Sequence, residues 1–180
     1  MGTIHHPQPV KLFVGMLAAR PEWLAEAETL LVGQFGAVDV ASDLIPFDQT
    51  DYYREAMGEN LLRKFVAFEQ LIRPDAIVET KHATNATETE LVRRIADGPP
   101  RPVNLDPGYL ELSKVVLATT KDYAHRICLA RGIYAEVTLH YHHGRFEPWP
   151  WTYPDYRTEA YGKFFLAVRA RLRENLRSSR

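Results

Sequence analysis

The chain is expected to be an α+β protein, and three observations carry that expectation. The first half alternates apolar runs of strand length with stretches whose apolar residues recur at helical spacing, in the order β-α-β-β-α-β. The second half gives short β-like runs bounded by turn residues. One long amphipathic stretch closes the sequence. The opening order is the split βαβ, ferredoxin-like pattern, here extended by antiparallel hairpins and a C-terminal helix. A mainly antiparallel sheet with its helices packed on one side follows.

The run from Lys11 to Leu17 is apolar and predicts a buried strand ending near Ala18. Pro21 suits a first helical turn, Leu24, Ala27, Leu30, Leu31 and Phe35 follow at helical spacing, and Gly36 ends the helix. Val38 to Ile45 and Phe65 to Ile72 predict the next two strands, with a polar, aromatic loop from Pro46 to Gly58 between them. A helix begins at Asp75, and Leu91, Val92 and Ile95 carry a further helical face. Thr84, Asn85, Ala86 and Thr87 between them are weak helix material, so a break or bend is expected there. Asp97 to Pro102 reads as a short linker. Strands are then expected over Val103 to Leu105, Lys114 to Thr120, Arg126 to Leu129 and Ile133 to Tyr141. In the final helix Tyr161, Phe164, Phe165, Val168, Leu172 and Leu176 form one stripe, and Thr152 with Asp155 has the spacing of a capping box.

At 180 residues, 46% of them hydrophobic, the chain predicts a single domain over 1–180 with a core of its own. Lys and Arg number 22 against 23 Asp and Glu, a balance that argues against a surface built wholly for nucleic acid or an anionic membrane. The single cysteine, Cys128, has no partner for an intrachain disulfide and reads as a small, near-core hydrophobe. The N-terminus lacks the build of a signal peptide, and the longest apolar stretch, Leu12 to Ala19, is too short to span a membrane. A cytoplasmic protein with no membrane contact is expected. Asn85-Ala86-Thr87 is then a chance glycosylation pattern. No segment specifies an oligomeric state.

Two turns fix which residues face each other. Asp106-Pro107-Gly108 has the composition of a type II turn. Ala130-Arg131-Gly132 fits a three-residue hairpin with Gly132 in the left-handed region. That hairpin would pair Leu129 with Ile133, Ile127 with Ala135, Cys128 with Tyr134 and Arg126 with Glu136, sorting apolar and polar residues onto separate faces. The polar face, with Arg126, Tyr134, Glu136, Thr138 and His140, reads either as a solvent face or as the lining of a cleft.

Several blocks resemble one family. They are Arg101 to Tyr109, Thr119 to Asp122 with His125-Arg126, Gly132 to Leu139, and Trp151 to Tyr156; upstream, Phe47 to Gly58, Lys64 to Phe68, and Lys81 with Thr84-Asn85 join them. Together they resemble the family catalogued as domain of unknown function 4416, over about Val10 to Arg173. The resemblance implies no mechanism, although some members carry the label "GTP-binding protein". No G-x-x-x-x-G-K-[ST] phosphate loop exists here, and Thr120-Lys121-Asp122 is not a spaced Asn-Lys-x-Asp, so the chain is not a P-loop GTPase.

Other constellations are sparse. His140 and His142 lie two apart on a strand, but Gly144 would put His142 and His143 at a hairpin tip, and no metal is called for. Ser42, Ser113, Ser178 and Ser179 sit in no nucleophile elbow. Arg169, Arg173 and Arg177 read as a solvated helix face, and Tyr52-Tyr53 with Trp149 to Tyr156 as an aromatic lid over the sheet. What remains is a polar set at strand ends and turns. Asp106, Glu136 and His125 are the candidate acid–base groups; Asn104, Lys114, Lys121, Arg126, Thr138 and Tyr156 are the candidate ligand contacts. Cations beside carboxylates and an amide suit an anionic small molecule or nucleotide, with no cofactor implied. A module that binds RNA or a protein through an open sheet face is the alternative. Convergence of Asp106, Lys121, Arg126 and Glu136 on one concavity, with Asp155 or Tyr156 at its rim, would favour the small molecule.

Overall fold

The computed structural model of the chain describes residues 2–48, 50 and 53–178. Tyr52 and Ser179, named above, lie outside them. The strands are β1 (Val10–Ala18), β2 (Val38–Ala41), β3 (Ile45–Pro46), β4 (Leu62–Ile72), β5 (Val103–Leu110), β6 (Lys114–Thr119), β7 (Ile127–Ala130), β8 (Ile133–His142) and β9 (Arg145–Pro148). The helices are α1 (Pro21–Phe35), α2 (Arg54–Met57), α3 (Ile77–Arg94) and α4 (Glu159–Ser178). All nine strands join one sheet in the order β2-β4-β1-β5-β6-β8-β7, with β3 against β4 and β9 against β8. Every pairing among the described residues is antiparallel.

Strand β1 explains the layering. Its side chains alternate, and both sets are buried and, apart from Lys11, which pairs with Asp39, apolar. Leu12, Val14 and Met16 join Leu24, Ala27 and Leu31 of α1 and Ile77, Val78 and Leu91 of α3. Phe13 faces the other way and packs with Phe65 and with Phe164, Phe165, Val168 and Leu172 of α4. A central strand apolar on both faces needs a cover on both. The expectation of helices on one side is therefore corrected: α1 and α3 cover one face and α4 the other. Each fully buried Phe or Leu contributes roughly 1.5–3 kcal/mol to this arrangement.

Four local expectations also change. α3 runs unbroken through Thr84 to Thr87, because Thr84 and Thr87 donate their hydroxyls back to the carbonyls of Lys81 and Ala83 and so stay satisfied inside the helix. Asp106-Pro107-Gly108 is no turn but part of β5, paired residue for residue with β1. Gly108 is needed there for space: a Cβ would stand 2.4 Å from the Val116 carbonyl and 2.5 Å from the Phe13 ring. Thr152 caps no helix. Its hydroxyl donates to the Thr138 carbonyl, and α4 starts only at Glu159, after a 3-10 turn over Asp155–Arg157. The single strand expected over Val38 to Ile45 is two short pieces, β2 and β3.

The β7–β8 hairpin keeps its register but closes differently. Ile127 faces Ala135 and Cys128 faces Tyr134, as expected, while Ala130 rather than Leu129 pairs with Ile133. Arg131 and Gly132 form the two-residue loop with φ of 51° and 75°, and Leu129 is the extra residue of a bulge. Both loop residues at positive φ match the twist of the strands, which a longer loop would not require. Cys128 is exposed rather than near-core, since β7 is the edge of the sheet.

Candidate functional site

The sheet opens at one end between β5 and β6. β5 pairs with β1 along its whole length, from Leu110 to Val103, but with β6 only from Leu110 to Gly108. Pro107, which would point its nitrogen at β6, has no N–H to donate. Leu105 turns instead to α3. Its N–H donates to Glu88 Oε1 at 2.7 Å and its carbonyl accepts from Lys81 Nζ at 2.9 Å. Both of its backbone groups are thus satisfied by side chains in place of a strand.

Asn104 and Asp106 point from this open stretch toward the α4 face. Asp106 lies opposite Gly15 on β1, and Arg63 of β4 lies opposite Leu17. Gly15 carries no side chain, and a Cβ there would come within 3.2 Å of Arg63 Nη1. Through that gap Arg63 spans β1, donating from Nη1 to Asp106 Oδ2 at 3.2 Å, with Nη2 3.6 Å from Asp155 Oδ2. Asn104 Nδ2 donates to the same Asp106 oxygen at 2.6 Å, and the Tyr161 hydroxyl donates to Asp155 Oδ2 at 3.3 Å. The guanidinium also sits over the Phe47 and Phe65 rings, 5.3 and 5.7 Å from their centroids. Arg63 Nε and the Tyr156 hydroxyl are buried with no partner among the described residues.

Charge in this cluster follows from burial and pairing. Burial alone would raise the Asp106 carboxyl, but Arg63 and Lys81 outweigh it and hold the group below its ordinary range. For Asp155 burial wins over Arg63, and its carboxyl is pushed up. Burial likewise raises the Tyr53, Tyr156 and Tyr161 phenols, which keeps them neutral hydrogen-bonding groups. Arg63 is only 3% accessible in its side chain, whereas Asp106 keeps 30%. Asp106 is therefore the face of this cluster that a solute can reach.

A second cluster lies on the same face, on β8 and the chain leading into β7. Arg126 Nε donates to Glu136 Oε2 at 2.9 Å, His125 Nε2 is 3.2 Å from the same oxygen, and the Thr138 hydroxyl donates to Glu136 Oε1 at 3.0 Å. Arg126 also donates to the Lys121 carbonyl at 3.0 Å and to the Tyr153 hydroxyl at 2.5 Å. His125 stacks on Trp151, and Trp151 on Trp149, at interplanar angles of 14° and 9°. Tyr153 belongs to this second cluster, its hydroxyl accepting from Arg126, and burial raises its phenol. β5 and β8 are two strands apart, about 10 Å.

Of the residues named from sequence, Asn104, Asp106, His125, Arg126, Glu136 and Thr138 lie on this one face and end. Lys114 does not. It sits at the opposite end of β6 and pairs with Glu111 at 3.0 Å. Lys121 contributes its carbonyl, and its side chain is at the exposed lip. Tyr156 is not a rim residue but is buried against Phe65 and Tyr161. Arg63, Gly15, Lys81 and Tyr153 were missed as site residues. Arg63 stands beside Lys64 at the polar start of β4, so nothing in its spacing set it apart from an ordinary surface cation. Elsewhere, Arg169 is less solvated than its spacing suggests, donating to the Leu112 carbonyl and lying 3.5 Å over the Tyr141 ring. Among the described residues no group of three or more His, Cys, Asp or Glu is placed to hold a metal. A hollow of about 250 Å3 shares Phe47 with the Arg63 cluster, and one of about 550 Å3 between the β2–β3 edge and α4 is lined by none of the residues of either cluster.

These features define a class: an α+β protein with an antiparallel sheet covered on both faces and a polar, charge-paired site where that sheet opens. The chain belongs to the family described as Domain of unknown function (DUF4416), whose sequence model matches residues 8–172. No curated protein and no solved structure matches it. No helix among the described residues is long and apolar enough to cross a membrane.

Proposed function

We propose that the chain binds an anionic small molecule of the nucleotide class at the open end of its sheet. The observation that carries this reading is that two charge-paired clusters occupy the same face and end of the sheet. Arg126, Glu136 and His125 stand two strands from the Arg63–Asp106–Asp155 group, so that cations, carboxylates and flat rings share one face of the sheet. A nucleotide asks for that mixture: a planar ring to stack, polar ring edges to hydrogen-bond, and an anionic group to neutralise. Trp151 and His125 supply stacking, Asp106 an acceptor, and Arg126 the cation; the Arg126 side chain is only 4% exposed, so an arriving anion would have to displace Tyr153 to reach it. A cytoplasmic setting accompanies this proposal, since a lone exposed thiol suits a reducing compartment. The order β2-β4-β1-β5, all antiparallel, with α1 and α3 on one face, supports a ferredoxin-like core beneath the site.

The stacked Trp149–Trp151–His125 rings favour a second reading, a module that binds single-stranded RNA by stacking. It has less surface to work with, because helices cover both faces of the central strands. A thermal-shift series with mononucleotides, sugar phosphates, inorganic phosphate and a short RNA separates the two. Mononucleotides at a hundredfold excess over Kd should raise Tm by about 5–10 °C. A shift with RNA alone would move the assignment to the second reading, and no shift with any of them would sink the first.

A further inference from the structure

We infer that the ligand is recognised through a ring N–H or amino group that donates to Asp106 Oδ1; this rests on the nucleotide reading and deepens it. The two oxygens of this carboxylate are not equivalent. Oδ2 accepts from both Arg63 Nη1 and Asn104 Nδ2. Oδ1 accepts from no group among the described residues, and it belongs to a side chain that keeps 30% of its surface open.

The carboxylate is also held in place. Arg63 and Asn104 are both almost fully buried, so Asp106 cannot rotate without breaking two charge-assisted bonds inside the protein. Gly15 leaves the gap through which Arg63 reaches it, and Lys81 approaches from beneath through the opening between β5 and β6. Two cations behind the group keep it ionised, hence an acceptor only. A fixed, charged acceptor rewards a donor and repels a carbonyl or an unprotonated ring nitrogen.

Isothermal titration of the full chain against six mononucleotides tests this. Four carry ring donors, the 5′-monophosphates of adenosine, cytidine, guanosine and uridine. Two carry none, the 5′-monophosphates of purine riboside and 2-pyrimidinone riboside. At least one donor-bearing form should bind about 10–100-fold more tightly than both donor-free forms, the range of a hydrogen bond to a charged group. Asp106→Asn should shrink that ratio, because its amide can turn a donor outward. Should that variant fail to melt cooperatively, the wild-type ratios decide alone. Donor-free forms binding as tightly as the rest would overturn the inference and leave the nucleotide reading standing. No binding by any of the six would overturn that reading, and this inference with it.

Discussion

Arg63 and Asp106 form an ion pair across an intervening strand, 3.2 Å apart although β1 runs between β4 and β5. Side chains on alternate strands of a sheet are normally separated by the residue between them. Here that residue is Gly15, and its missing side chain is what lets Arg63 reach Asp106.

Gly15→Ala should therefore act as an overpacking change. Its Cβ would lie 2.8 Å from Phe65 Cε1 and 3.2 Å from Arg63 Nη1, and Phe65 is held by Phe164, Phe165 and Tyr161. A loss of roughly 1–3 kcal/mol in urea unfolding is expected, together with weaker ligand binding as Arg63 is displaced. Unchanged stability and unchanged binding would mean that the gap is not needed.

The Arg126–Glu136 pair was legible because hairpin register follows from face sorting, and both residues sit on the polar line of that hairpin. Arg63–Asp106 was not. Its geometry depends on a glycine in a third strand and on strand order, neither of which has a periodic signature. The Asp106-Pro107-Gly108 string misled for a related reason. Pro and Gly most often mark turns, but in β5 Pro107 ends the pairing with β6 while Gly108 admits the Val116 carbonyl and Phe13. The buried stripe of α4 was readable from spacing alone; which face of the sheet it covers was not, because β1 is apolar on both.

Removing Arg126 should be costly in a way that a paired change is not. Glu136 is buried with its carboxylate shared among Arg126, His125 and Thr138. Arg126→Ala leaves that charge without its guanidinium and should destabilise the protein by about 3–5 kcal/mol. Combining Arg126→Met with Glu136→Gln removes both charges and should recover most of the loss. Thermal melts of the single and double variants check this; equal losses in both would assign the cost to packing rather than to an unpaired charge.

Gly132→Ala isolates backbone strain. The residue sits at φ 75° with open space where a Cβ would stand, so no clash contributes. A loss of roughly 1–2 kcal/mol is expected from the left-handed conformation alone. Gly132→Asn should cost less, since Asn tolerates that region. An alanine variant as stable as the parent would show that the loop adopts another turn.

Asp106 and Asp155 should give opposite pH dependences of stability, although both face Arg63. Folding lowers the Asp106 carboxyl below its ordinary value of 3.8, with Arg63 and Lys81 overcoming the effect of burial. Its contribution is then complete above that value and is lost as pH falls toward the folded pKa. Folding raises Asp155, where burial dominates. The native state binds that proton more tightly than the unfolded chain, so stability is lost as pH rises from 3.8 through the folded pKa and is level above it. Urea unfolding of the parent, Asp106→Asn and Asp155→Asn between pH 2.5 and 7 separates the two. The deficit of Asp106→Asn relative to the parent should grow as pH rises from the acid end. The stability of Asp155→Asn relative to the parent should improve over the same range, because the amide cannot ionise. Parallel curves for all three proteins would show that neither carboxyl is shifted by folding, and the charge order around Arg63 would have to be redrawn.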